Sequence, residues 1–158
     1  MSKGIVVYYS WSGNTKEMAQ IIAKAMNDAD LKTECKSVDK VKADDLPGYD
    51  AIVMGSPTYY GQMAGPIKQL IDELVSRHGE LDGKVGGAFT SSANIGGGNE
   101  TTIMGIIEGM LIAGMVVQGD PNGDHYGPVS IGKPDERVRK QCTRRGQRIA
   151  ELTRTLVV

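Results

Sequence analysis

The chain is poor in several residues that much protein chemistry depends on. Its 158 residues hold two cysteines, two histidines and one tryptophan. Cys35 and Cys142 lie far apart and form no CxxC or zinc-ligand spacing, so they read as two reduced thiols. No apolar run approaches the roughly 20 residues that span a bilayer, and Gly4–Tyr9 is too short for the core of a signal peptide. The expectation is a cytoplasmic protein without membrane insertion. A net charge of −1 argues against nucleic acid as a partner. There is no Walker lysine, and no GxGxxG follows an apolar run. A Cys-x5-Arg phosphatase loop is excluded, because no cysteine stands near Ser10. Tyr9-Ser10 and Gly55-Ser56 stand where a response regulator needs acids.

What the chain has in quantity is glycine, 21 residues of it, set between alternating apolar patterns. Lys3–Tyr9 is a continuous β-branched and aromatic run, suited to a strand buried on both faces of a parallel sheet. Met18, Ile21, Ile22, Ala25 and Met26 then fall on one helical stripe. Leu31–Val38 reads as a second strand nearer an edge, and Asp50–Gly55 as a third, entered through Leu46-Pro47-Gly48. Ser56–Gly65 reads as a loop before a helix opened by Pro66 and striped by Ile67, Leu70, Ile71 and Leu74. Lys84–Ser91 is a fourth strand weakened by Gly86 and Gly87, followed by an apolar helix from Glu100 to Ile112. Met115–Gln118 is a short fifth strand and Gly119–Lys133 a long glycine-rich loop. Pro134 or Asp135 opens a last helix with Val138, Ile149, Leu152 and Leu156 on its inner face. This alternation predicts one α/β domain over residues 1–158, three layers thick, with a five-stranded parallel sheet in the order 2-1-3-4-5.

Ligands of such sheets bind beyond the carboxyl ends of the strands, where the strand order reverses. Two loops emerge there. The first, Ser10-Trp11-Ser12-Gly13-Asn14-Thr15, carries no charge and leads straight into a helix. A helix start offers outward N–H groups and a favourable dipole, so it holds a phosphate without lysine or arginine. Hydroxyls of Ser10, Ser12 and Thr15, the amide of Asn14 and the freedom of Gly13 add to that cradle. A helix cap alone requires one such residue, not five. The second loop, Ser56–Gly65, offers Tyr59 and Tyr60 as flat faces for an aromatic ligand.

SWSGNT resembles the phosphate loop of the flavodoxin family, and DAIVMGSPTYYGQMAGPIKQLID resembles its third strand and flavin loop. The second stretch, together with GKVGGAFTSSANIGGGNETTIMGIIEGMLIAGMVV and GDHYGPVSI, also resembles NAD(P)H:quinone oxidoreductases of the tryptophan-repressor-binding-protein type. The resemblance implies a flavodoxin-like fold and FMN as cofactor. It places Ser10, Trp11, Ser12, Gly13, Asn14 and Thr15 around the phosphate. Pro57, Thr58, Tyr59, Tyr60 and Gly61 would line one side of the isoalloxazine ring, and Ser91, Ser92, Asn94, Gly96 and Gly97 the other. Gly61 matches a glycine whose peptide turns over as the ring is reduced, with Gln62 where an acid often follows. His125 and Tyr126 are candidates to reach the ring edge, handling a proton or binding substrate.

Two functions follow. One is a flavodoxin-type carrier passing electrons between a reduced donor and an acceptor, docking with a redox partner protein. The alternative is an NAD(P)H:quinone oxidoreductase using FMN. SSANIGGGN lacks the aromatic with which flavodoxins often cover the second ring face, and the charge is near neutral; both favour the enzyme. Ser76-Arg77-His78 stands where the reductases tend to have an aromatic, and Ala113 where they tend to have a histidine. The chain is also shorter than those enzymes, and the carrier is preferred. The basic last helix reads as a solvated face or a dock for an acidic partner. Gly105 and Gly109 would admit a second helix, within the fold or across a homodimer.

Overall fold

A computed structural model describes residues 1–157; Val158, the last residue of the expected domain, lies outside the described residues. Strand β1 (Lys3–Tyr8) is followed by α1 (Asn14–Asp28), β2 (Lys32–Ser37), β3 (Ala51–Tyr59) and β4 (Gln62–Met63). Then come α2 (Gly65–Glu73), β5 (Val85–Ser92), α3 (Asn99–Ile112), β6 (Val116–Val117), β7 (Val129–Ile131) and α4 (Glu136–Leu156). The sheet runs β2-β1-β3-β5-β6, which is the expected 2-1-3-4-5 once the small β4 is counted apart. β1 lies parallel between β2 and β3, with Val6 opposite both Cys35 and Val53.

The continuous apolar runs of β1 and β3 reflect burial on both faces. Successive side chains of a strand point to opposite sides, so Ile5 and Val7 enter one core with Ile52 and Met54, while Val6 and Val53 enter the other. α2 and α3 cover the first face through Ile67, Leu70, Ile103 and Met110. α1 and α4 cover the second through Met18, Ile22, Met26, Cys142 and Ile149. The glycines that seemed to weaken the fourth strand make room for this cover. A Cβ on Gly87 would lie 2.6 Å from Ile149 Cδ1. Gly109 admits Ile71 of α2, 2.7 Å from the position of a Cβ, and Gly105 admits Met63. These two glycines therefore serve packing within the chain.

Three local expectations change. Ser56–Gly65 is not a loop: β3 continues to Tyr59 and folds back onto β4 as a tight antiparallel hairpin, Tyr59 opposite Gln62. The fifth place in the sheet is shared by two short strands, because β6 and β7 both run parallel to β5, at its beginning and at its end. Residues 118–128 loop out between them. Leu156, expected on the inner face of α4, is exposed near the end of the helix.

Part of the basic face of α4 is engaged within the chain, while Lys140 and Arg154 stay exposed. Arg137, Gln141, Arg144, Arg145 and Arg148 form one helical stripe, and all of them hold the segment 118–129. Arg144 makes a two-pronged contact with Asp120 (Nε–Oδ2 2.6 Å, Nη2–Oδ1 2.9 Å). Arg145 donates to the Gln118 carbonyl, Arg148 to that of Gly119, and Gln141 accepts from Asp124 N–H. Arg137 grips both Asp124 and the Val129 carbonyl. Arg145 is almost fully buried, and burial lowers its pKa.

Candidate functional site

At the carboxyl ends of β1, β3 and β5 the chain leaves an open helix end. α1 begins after Gly13, which has φ 99°, and no side chain caps it. The first intrahelical bond runs from Glu17 N–H to the Gly13 carbonyl at 3.0 Å. The N–H groups of Asn14, Thr15 and Lys16 therefore point out of the helix end without an intrahelical acceptor. Ser10 Oγ accepts from Gly13 N–H at 3.1 Å, curling the loop over those donors. Nothing lies within 4 Å of where a Gly13 Cβ would be, so its left-handed backbone, not crowding, is what calls for glycine. Trp11 extends into solvent beside the loop, 83% exposed.

Thr15 is turned inward. Its Oγ1 lies 2.9 Å from Ser91 Oγ, both residues buried, and ties the start of α1 to the end of β5. Only one proton is used in a bond between two hydroxyls, so the pair keeps one donor for a ligand. Ser91 thus sits on the floor beside the helix end. Ser92 and Asn94 form a turn of their own, Ser92 Oγ donating to the Asn94 carbonyl. Gly96 and Gly98 both adopt positive φ, carrying Gly97 between them round into α3.

The facing wall is the β3–β4 hairpin. Ser56, fully buried, accepts from Ala64 N–H and closes its base. Thr58 Oγ1 lies 2.8 Å from Thr90 Oγ1, which also donates to the Ser56 carbonyl at 2.7 Å. Pro57 pairs with Ser91 in register. Tyr59 meets Tyr9 edge to face at 6.3 Å, and burial, with Tyr9 close by, raises its phenol pKa above the usual value. Tyr60 and Gly61 are the turn itself, with φ 50° and 78°. A tyrosine at positive φ is uncommon and strained, and this one is wholly exposed. The two walls meet at their tips: a Cβ on Gly98 would lie 2.4 Å from Gly61 Cα.

His125 and Tyr126 stand apart from the hairpin, bordering a cleft of about 400 Å³ behind the 92–98 segment. That cleft includes Ile95, Asn99, Ile103 and Val129. His125 Nδ1 lies 2.8 Å from the Asp120 carbonyl. A carbonyl only accepts, so Nδ1 carries the hydrogen and Nε2 of the neutral ring is left as an acceptor. The ring is oriented through Asp120, and Asp120 is fixed by Arg144. That ion pair, helped by the Asn122 N–H and Arg148, holds the Asp120 carboxyl down at about 2 despite its burial.

A family model for the flavodoxin domain matches residues 5–96. A flavodoxin of Aquifex aeolicus is 36% identical over 160 residues, covering 96% of this chain and 86% of that protein. The chain belongs to the flavodoxin family. An NAD(P)H dehydrogenase (quinone) of Rhodopseudomonas palustris (strain HaA2) is 37% identical over 155 residues, covering 84% of this chain and 77% of that protein. The solved structure of a flavodoxin from the domain Archaea superposes with TM-score 0.80 at 36% identity, covering 96% of this chain and 99% of that one. A flavodoxin, WrbA-like protein of Agrobacterium tumefaciens shares the fold, with TM-score 0.84 at 23% identity over 99% of each chain.

Flavodoxins bind FMN, and the donor set here fits its phosphate: an uncapped helix end, several hydroxyls and no opposing carboxylate in Ser10–Thr15. Sequence reasoning missed Thr90, Asn99 and Thr101, which build the floor and the far wall. A signal was present. Gly13-Asn14 and Gly98-Asn99 start α1 and α3 in the same way, each after a left-handed glycine and with no side-chain cap. Among the described residues no group of three or more His, Cys, Asp or Glu is placed to hold a metal, and no helix is long and apolar enough to cross a membrane. Burial pushes Cys35 up to about 11 and Cys142 up to about 12, leaving both thiols protonated at neutral pH.

Proposed function

We propose that this chain, over residues 1–158, is an FMN-binding redox protein of flavodoxin type, passing electrons between a reduced donor and an acceptor. One observation carries the reading: the uncapped N-terminus of α1, in a loop without charge, lies beside two walls at the point where the strand order reverses. In this reading Ser10, Ser12, Gly13, Asn14 and Thr15 hold the phosphate. Pro57–Gly61 supports one side of the ring, and Ser92, Asn94, Gly96 and Gly97 the other, with Ser91 beneath. The flavin supplies the redox chemistry; the protein's residues bind it, exclude water and set its surroundings.

A second reading, an FMN-dependent NAD(P)H:quinone oxidoreductase, draws on the quinone dehydrogenase relatives and on the cleft beside His125 and Tyr126. The missing histidine and aromatic do not weigh against it within one chain. Ala113 and His78 lie at the amino ends of β5 and β6, where Gly83 N–H bonds the Gly114 carbonyl. The candidate site lies at the opposite end of β5, a strand length of roughly 25 Å away. The absorption spectrum of the purified protein, native or reconstituted with FMN, tests the cofactor. Aerobic NADH or NADPH oxidation with benzoquinone separates the two readings: rapid turnover contradicts the carrier, and its absence from a flavin-loaded protein contradicts the enzyme.

A further inference from the structure

Thr101, in the first turn of α3, makes a contact that neither reading assigns. Its Oγ1 lies 2.6 Å from the Gly61 carbonyl and 2.9 Å from the Gly98 carbonyl. A hydroxyl has one hydrogen, so it serves one of these acceptors at a time. Gly98 does not depend on it, because its carbonyl also accepts Thr102 N–H at 3.0 Å. The Gly61 carbonyl is thus held by a donor that has somewhere else to go.

The surroundings restrict how the turn can respond. Gly98 presses against Gly61 Cα, which blocks the tip from sliding toward α3. Around Gly61 itself, nothing lies within 4 Å of a Cβ position, and glycine accepts either sign of φ. The resemblance to flavodoxins implies that the peptide following Gly61 turns over as the ring is reduced, and the space around Gly61 leaves that rotation open.

We propose that the Thr101 hydroxyl is a two-position latch, bonded to Gly61 while that carbonyl faces α3 and to Gly98 once it has turned toward the crevice. Resting on the FMN reading, the latch sets the relative affinity for oxidised and reduced cofactor. FMN offers a lone pair at N5 when oxidised and an N–H when reduced. A carbonyl turned away suits the first, and a carbonyl turned inward suits the second. Reduction with dithionite supplies the electrons and water the proton at N5; Thr101 neither gains nor loses one. It is a positioning residue, acting through Gly61.

Holoprotein carrying Thr101→Val and Thr101→Ser tests this, with FMN affinity measured by fluorescence titration and the potential by dithionite titration. Thr101 is exposed, so both variants are expected to fold. Thr101→Val should raise the ratio of reduced to oxidised affinity by up to about fivefold, because the Gly61 carbonyl loses its donor while the Gly98 carbonyl keeps Thr102 N–H. Thr101→Ser, which keeps the hydroxyl, should restore the wild-type ratio. Equal changes in both affinities, or a serine variant that behaves like valine, would overturn the latch while leaving the FMN reading intact. A wild-type protein that binds no FMN would overturn both.

Discussion

α1 and α4 lie side by side on the same face of the sheet, yet they begin in opposite ways. α4 starts conventionally: Asp135 precedes it in extended backbone and accepts Val138 N–H at 2.8 Å. α1 starts after a left-handed glycine, without any side-chain cap, although serine, asparagine and threonine surround it. The two helices pack so closely that a Cβ on Gly146 would sit 2.6 Å from the Ile22 carbonyl. Packing therefore does not distinguish them; the use of their first N–H groups does. In the proposed reading, the donors that these unused capping residues leave open at α1 are kept for a ligand.

The sharpest way to break this contrast is to give α1 what α4 has. Gly13→Asp puts an acid at that helix end, in a left-handed backbone (φ 99°) that strains any side chain. The apoprotein should lose about 1 kcal/mol to that strain, which no cap offsets in this backbone. FMN affinity should fall about a thousandfold, since a carboxylate about 4 Å from the phosphate costs about 4 kcal/mol at an effective dielectric near 20. Melting curves and fluorescence titration read the two effects separately, and a variant that loses stability without losing affinity contradicts the account.

The clamp on the 118–129 segment should give the next largest effect. Asp120→Asn removes the partner of Arg144 and is expected to destabilise the fold by about 1–3 kcal/mol, lowering the melting temperature by several degrees. The sign of the pH dependence follows from the carboxyl being held at about 2 against an ordinary 3.8. Its contribution, about 1–2 kcal/mol after allowance for solvent near Arg144, is complete above about pH 5 and lost as pH falls toward 2. The variant should lack that part of the acid limb in urea titrations at pH 2–5.

Asp135→Ala should cost about 1 kcal/mol of stability and leave FMN affinity unchanged, which makes it the control for the first variant. Tyr60→Asn is the mildest. It should stabilise the apoprotein by about 0.5–1 kcal/mol, because Asn-Gly is the preferred pair for this turn. It should also weaken flavin binding through the lost aromatic face. Weaker binding without that stability gain would mean that the turn at Tyr60 is not strained.

How much of this could be read in the chain follows the range of each interaction. Ser10–Thr15 is a local signal, a polar turn between an apolar strand and a striped helix, and its place in the structure matches the expectation. The alternation of Ile5, Val6 and Val7 between two cores is local as well. The hairpin was hidden because Tyr60-Gly61 is not the usual Asn-Gly turn, and β7 because Val129–Ile131 is too short to stand out between glycines. The clamp was the least legible. Arg137, Arg144, Arg145 and Arg148 look like a solvated face until the 118–129 segment is laid against them, and that depends on how β6 and β7 divide one place in the sheet.

The central claim, that the open end of α1 holds the phosphate of a flavin, is tested most directly by titrating the apoprotein with FMN and with riboflavin. The two ligands share the ring and differ in the phosphate. Charge-assisted hydrogen bonds at the helix end should make FMN bind at least about a hundredfold tighter. Equal affinities, or no binding of FMN, would contradict the account.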